Sequence, residues 1–179
     1  CSGLVGSEMC IRDSDIVVHS ATKYLNGHSD VVGGVVVCAE DREDLSDEMF
    51  YLSNSVGGIL SPFDSFLLLR SLKTLSVRMD RHCESALKLS KFLENHKAIE
   101  KVIYPGLTSH PQHNVARKQM HKFGGMITAI LKGGLTASKT FLENTKIFSL
   151  AESLGGVESL IEHPAIMTHA SIPPEVREE

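Results

Sequence analysis

The chain has 179 residues, 42% of them hydrophobic and 22% charged, the balance of an ordinary soluble globular protein long enough to bury a sizeable core. Eighteen basic against 22 acidic side chains leave a net charge of −4, which offers no general attraction to nucleic acid or to an anionic membrane. No apolar run is long enough to span a bilayer, and Cys1, Cys10, Cys38 and Cys83 have neither zinc-like spacing nor a disulfide pattern, which fits a reducing, cytoplasmic setting.

Both ends read as cut. There is no initiator Met, and Pro173 to Glu179 look like the opening of a charged segment, so the chain is expected to be a fragment. The first 14 residues, CSGLVGSEMCIRDS, resemble a translated read-through of a sequencing-library adapter and are expected to be a non-native leader.

Ile16 to Val18 form a short β-branched run, expected as part of a parallel sheet. A polar stretch follows, carrying Ser20, Thr22, Lys23, Tyr24, Asn26, His28, Ser29 and Asp30, and a second run spans Val31 to Val37. The pattern is strand, exposed loop, strand, and loops held by strands are where chemistry concentrates. Glu43 to Ser55 is expected to be a helix with Leu45, Met49 and Leu52 on one side, stopped by Gly57 and Gly58.

Ser61 and Pro62 have the cap and first-turn chemistry of a helix start. Leu68, Leu72, Leu75 and Met79 then fall on one stripe, and the apolar face continues through Ala86, Leu89, Phe92 and Leu93. A single rod of that length is unusual in a globular chain, so a break is expected near Thr74. Val102 to Tyr104 is expected as a strand, Pro111 to Met120 as a helix with Val115 and Met120 inward, and Met126 to Leu131 as a strand. Thr136 to Thr145 should be helical, Ile147 to Leu150 extended, and 151–172 irregular because Pro164 interrupts it.

Lys23 leads the candidate chemistry. A lysine just past a strand end, with Ser20 and Thr22 close before it, suits a ligand that carries both a carbonyl carbon and an anion, the demand of a Schiff-base site for a phosphorylated aldehyde cofactor. The competing reading is a solvent-facing lysine among structural hydroxyls. Ser20 and Lys23 also have the spacing of some acylating hydrolases, but Ser29-Asp30 is followed by Val31 and no Lys-Thr-Gly occurs. The pairs His19/His28, His110/His113 and His163/His169 lack a convincing third ligand, and no metal is expected. Neither GxGxxG nor a P-loop is present.

The run Ser20-Ala21-Thr22-Lys23-Tyr24-Leu25-Asn26-Gly27-His28-Ser29-Asp30-Val31-Val32 resembles the cofactor-lysine signature of the cysteine/methionine metabolism (trans-sulfuration) family of pyridoxal-phosphate enzymes. The likeness continues through Asn54 to Leu75, Tyr104 to Leu107, Ser109 to His113 and Ala151 to Ser171. It implies that Lys23 forms a Schiff base with pyridoxal 5'-phosphate and, once a substrate amine displaces it, moves protons between substrate carbons. Ser20 and Thr22 match phosphate contacts, and Ser153 a position near the substrate carboxylate. Glu152, with the segment Arg78 to Cys83, looks closest to the cystathionine γ-synthase and γ-lyase branch.

The implied fold is α/β, the aspartate-aminotransferase-like fold type I, with a mostly parallel sheet flanked by helices. Residues 15–80 would be the carboxyl-side part of the large cofactor domain and 81–179 an incomplete small domain. The implied reaction is γ-replacement or γ-elimination on cystathionine or an activated homoserine ester, with a cystathionine β-lyase, a methionine γ-lyase or an inactive truncated domain as the alternatives. The full-length protein would be a homotetramer, a dimer of dimers, in the cytoplasm, with no nucleic-acid or membrane partner. The family's ring-stacking aromatic, its aspartate at the ring nitrogen and its carboxylate-binding arginine have no match in these residues, so the isolated chain is expected to be inactive.

Overall fold

The computed structural model describes residues 14–177. Apart from Ser14, the expected leader and its two cysteines lie outside the described residues. The chain divides into two compact units, one ending at Arg78 and the other beginning at Met79.

In the first unit, β1 (Ile16–Ser20) pairs with β2 (Gly34–Cys38), with Ile16 opposite Cys38 and Ser20 opposite Gly34. The pairing is antiparallel, which corrects the parallel expectation for this run. The reason lies in the return: Ala21 N–H donates to Gly33 O at 2.8 Å, so the chain leaves and re-enters at the same strand end. A parallel partner would need a crossover running back along the whole of β1. At the open end, Arg42 bridges Asp15 and Asp44, and these exposed pairs contribute little to stability.

Helix α1 (Glu43–Val56) begins with Glu43 and Asp44, favourable at the positive end of the helix dipole, and ends at Gly57, whose φ of 77° is the left-handed cap conformation. None of its residues is buried, and Leu52, expected beside Leu45 and Met49, is exposed. Helix α2 (Pro62–Leu72) starts as the sequence indicates: Asp64 N–H donates to Ser61 Oγ at 3.0 Å and Pro62 opens the first turn. The expected break falls at Lys73 and Thr74, where the backbone closes 3.3 and 3.1 Å bonds onto Arg70 and Ser71. Helix α3 (Leu75–Glu94) follows.

In the second unit, β3 (Ile99–Ile103) pairs antiparallel with β4 (Thr128–Leu131) across an irregularity between Ile99 and Lys101. Ala86, Val102, Tyr104 and Leu107 form the core beside them, flanked by Leu93, Phe123 and Ile127. Tyr104 is fully buried, and its hydroxyl donates to Gly124 O at 3.0 Å. Helix α4 spans only His113–Gln119 and buries Ala116, whereas Val115 and Met120 are exposed, against expectation. The His113 ring sets the inward face: Nδ1 donates to Pro105 O at 2.8 Å and the ring lies 5.7 Å from Phe123. Val115, two positions on, is rotated to the opposite side.

Helix α5 (Gly134–Glu143) buries Leu142 and leaves Phe141 exposed. The short strands β5 (Ser149–Leu150) and β6 (Leu160–Ile161) are parallel. A 3₁₀ turn, Pro164–Ile166, follows, and Pro174–Arg177 form a last helical turn, α6. The described residues are therefore α/β, but the mostly parallel sheet expected of them is not what they form. Two of the three strand pairs are antiparallel. Among the described residues no helix is long and apolar enough to cross a membrane.

Candidate active site

Lys23 sits in a single π turn, Ala21–Leu25, inserted where β1 ends. Asn26 N–H closes the turn onto Ala21 O at 3.0 Å, and Gly27 N–H onto Lys23 O at 2.7 Å. The backbone of Lys23 itself leaves the helical region, with φ −92° and ψ −127°, so the turn changes direction at the lysine. Ala21, Leu25 and Asn26 are buried and fix the turn, which packs on α2, while Thr22, Lys23 and Tyr24 are half-buried.

The neck of the loop is tied by Thr22. Its Oγ1 accepts the Gly33 N–H at 3.0 Å and lies 3.4 Å from Gly33 O, to which the hydroxyl donates. Gly33 also meets Leu60 so closely that a Cβ there would lie 2.5 Å from Leu60 Cδ2. Ser20 is exposed, and its side chain makes no cap bond to the turn. Among the described residues neither Ser20 Oγ nor Lys23 Nζ has a hydrogen-bond or ion-pair partner.

Beyond the lysine, Asn26 is fully buried and donates from Nδ2 to Asp30 Oδ1 at 2.6 Å. His28 Nδ1 lies 2.7 Å from Asn26 O and 3.1 Å from Ser71 Oγ. A carbonyl only accepts, so Nδ1 carries the proton. Two buried atoms next to the turn, His19 Nε2 and Asn26 Oδ1, have no partner among the described residues. Arg78 spans the far end of the turn with bonds to Tyr24 O and Leu25 O, and partial burial lowers its pKa. Sequence reading placed Arg78 only in a branch-specific segment. A contact between residues so far apart in the chain leaves no periodic signal.

Glu152 and Ser153 belong to the second unit, on the bend after β5. Glu152 is exposed and Ser153 half-buried, and Ala151 N–H anchors the bend to Ile161 O at 3.2 Å. Glu162 Oε2 and His163 Nδ1, just past β6, are buried without partners among the described residues, a pair that spacing did not single out. No group of three or more His, Cys, Asp or Glu among the described residues is arranged to hold a metal ion. An open cleft of about 610 Å³ beside β2 and α1, lined by Val36, Cys38, Met49, Phe50 and Leu60 among others, includes none of Ser20, Thr22 or Lys23.

A cystathionine β-lyase of Coxiella burnetii is 60% identical to this chain over 165 residues, 92% of the chain and 42% of that protein. A cystathionine γ-lyase of Dictyostelium discoideum is 56% identical over 164 residues, again 92% and 42%. The crystal structure of cystathionine γ-synthase from Xanthomonas oryzae pv. oryzae in complex with cystathionine superposes with a TM-score of 0.87 at 47% identity, covering 92% of this chain and 42% of that one. The chain thus spans about two-fifths of the length of these relatives. The model of the family described as Cys/Met metabolism PLP-dependent enzyme matches residues 8–179, and the chain belongs to that family.

Proposed function

We propose that the complete protein uses pyridoxal phosphate to break or form a carbon–sulfur bond at the γ carbon of cystathionine or of an activated homoserine ester. The observation that carries this reading is the placement of Lys23 on a turn and of Ser20 at the strand end before it, neither side chain having a partner among the described residues. When bound, pyridoxal phosphate supplies an aldehyde carbon, an anionic phosphate and a ring that accepts the electrons of a deprotonated substrate carbon. The residues fit such a group: Lys23 Nζ is free to bond it, and Ser20 Oγ to donate to its phosphate. Thr22 Oγ1 already serves Gly33, and its long 3.4 Å bond is the one that a phosphate oxygen would displace.

Lys23 then has two tasks, holding the cofactor and carrying a proton on Nζ between substrate carbons. The π turn suits both, because Ala21 and Leu25 fix its base while Lys23 stays only half-buried. Ser153 is proposed as a donor near the substrate carboxylate, and Glu152, the residue before it, as a further substrate-binding position. The fold type I architecture is supported by the superposition on the Xanthomonas oryzae structure, and a large-domain segment of 15–80 followed by a small-domain segment of 81–179 by the compact units that meet at Arg78 and Met79. Self-association as a dimer of dimers is proposed from the family resemblance, with the exposed Phe63, Phe66 and Leu69 of α2 offering an apolar face to other parts of the complete protein or to a partner copy. Cytoplasmic residence is supported by Cys38 and Cys83, both free thiols.

Cleavage at the β carbon is the second reading, favoured by the 60% identity to a protein named cystathionine β-lyase. Incubation of the complete protein with cystathionine separates them. Cysteine with 2-oxobutyrate and ammonia marks γ-elimination, and homocysteine with pyruvate and ammonia marks β-elimination. Product formed only from an activated homoserine ester with cysteine marks the synthase. Borohydride reduction followed by peptide mapping should leave the cofactor on Lys23, and a label elsewhere, or none, would sink the reading.

A further inference from the structure

We infer that Arg78 is a positioning residue for Lys23, a guanidinium fork that holds the far end of the lysine turn in the geometry its amine needs. The inference rests on the proposed role of Lys23. Arg78 Nη1 donates to Tyr24 O at 2.8 Å, and Nη2 donates to Leu25 O at 3.3 Å and to Ser71 O at 3.1 Å. Nε donates to Thr74 Oγ1 at 3.1 Å. One planar group therefore joins the two residues that follow the lysine to the break between α2 and α3, and no carboxylate shares it among the described residues.

The partners of Arg78 are three backbone carbonyls and a hydroxyl, so it is the spread of donors that matches them, a match that the point charge of a lysine lacks. Leaving such a fork half-buried without an anion is costly, and the desolvation lowers its pKa. The neighbouring backbone is shaped around it. Gly27 has φ +69°, and a Cβ there would lie 2.1 Å from Arg78 Nη1 and 2.7 Å from Cζ. Gly27 N–H in turn bonds Lys23 O at 2.7 Å. Fork and lysine carbonyl thus both meet Gly27, the fork by close approach and the carbonyl by a hydrogen bond.

This arrangement predicts a catalytic effect without substrate contact. Displacing the fork shifts the turn that carries Nζ, and misplacing a proton-transferring group by about 1 Å costs up to roughly a hundredfold in rate. The test uses the complete, cofactor-loaded protein, with borohydride labelling of Lys23 established first. Arg78→Lys and Gly27→Ala should each lower kcat about ten- to a hundredfold while KM stays within about twofold. Both should weaken the circular dichroism that the bound cofactor acquires in its visible band, because its orientation changes with the turn. The double variant should be no slower than the slower single one, since both changes break the same contact.

Leu107→Ala, in the core of the second unit, serves as the stability control: it should lower Tm while leaving kcat and the visible dichroism unchanged. Wild-type kcat and dichroism in Arg78→Lys, whether or not Tm falls as in the control, would overturn the positioning role and leave Lys23 untouched. Failure to label Lys23 in the parent protein would instead remove the functional reading and this inference together.

Discussion

Thr22 and Gly33 close the lysine loop by a reciprocal bond: the Thr22 hydroxyl accepts the Gly33 N–H at 3.0 Å and donates to its carbonyl at 3.4 Å. Ala21 N–H adds a 2.8 Å bond to the same carbonyl, so the strap is part of the fold before any ligand binds. Ser20, three residues before the lysine, makes no such bond. The two hydroxyls therefore have different work.

From that difference, Ser20→Ala should weaken cofactor binding without changing stability, because its hydroxyl has no partner among the described residues. Loss of a hydrogen bond to a charged group costs about 1.5–3 kcal/mol, roughly ten- to a hundredfold in affinity. Thr22→Val should instead cost about 1 kcal/mol of stability by stranding the Gly33 N–H. Urea unfolding of the cofactor-free complete proteins, with cofactor titration of each, separates the two effects. An equal stability loss in both variants would show that Ser20 also straps the loop.

Ser61 caps α2, whose Leu68 and Ser71 lie on its buried side. Ser61→Ala should destabilise by about 1 kcal/mol and Ser61→Gly by only a few tenths, because glycine still adopts the cap conformation. The denaturant midpoint should fall with an unchanged slope, the mark of a stability loss without a change in the exposed surface.

The loop, the cap and the break at Thr74 were legible because each has a local signature: a polar interruption between β-branched runs, serine before proline, and an apolar stripe too long for one helix. Strand direction had none. Ile16 to Val18 reads the same beside a parallel or an antiparallel neighbour, and only the bond from Ala21 N–H to Gly33 O decides it. The inward face of α4 was lost for a related reason. Beginning the helix at Pro111 made Val115 the facing residue, whereas the bond from the His113 ring to Pro105 makes it Ala116. Arg78 was hidden by distance along the chain, since its partners Tyr24 and Leu25 lie more than 50 residues earlier.

Tyr104 and Gly106 should show how tightly the second core is fitted. A Cβ on Gly106 would lie 2.5 Å from Tyr104 Cε1 and 3.0 Å from Phe123 Cδ2. The ring of Tyr104 is held by its hydroxyl on Gly124 O and by an edge contact with Phe123, so it cannot swing aside. Gly106→Ala should therefore cost about 1–3 kcal/mol, the range for overpacking. Tyr104→Phe should cost about 1–2 kcal/mol by leaving the Gly124 carbonyl without its donor. Thermal unfolding of the complete protein checks both, and a neutral Gly106→Ala would mean that the rings yield more easily than this packing implies.

Asn26 offers the sharpest pH dependence. It is fully buried and donates from Nδ2 to Asp30 Oδ1 at 2.6 Å, so the variant Asn26→Asp replaces the donor with a second carboxyl against the first. Burial and the neighbouring carboxylate both disfavour the charged form, which raises the folded-state pKa of the introduced group above its unfolded value of about 4. The sign follows by linkage. A group whose pKa is raised on folding contributes its stability below the unfolded pKa, as the protonated acid that can still donate to Asp30. That contribution is lost as pH rises through the folded pKa. Asn26→Asp should therefore lie closest to the parent protein near pH 4 and fall behind by roughly 3 kcal/mol at neutral pH, whereas Asn26→Ala should show a deficit that pH does not change. Urea midpoints for the three proteins across this range measure the difference directly. A deficit in Asn26→Asp that is flat with pH would mean that the introduced carboxyl escapes to solvent, and that Asn26 is less firmly enclosed than its burial indicates.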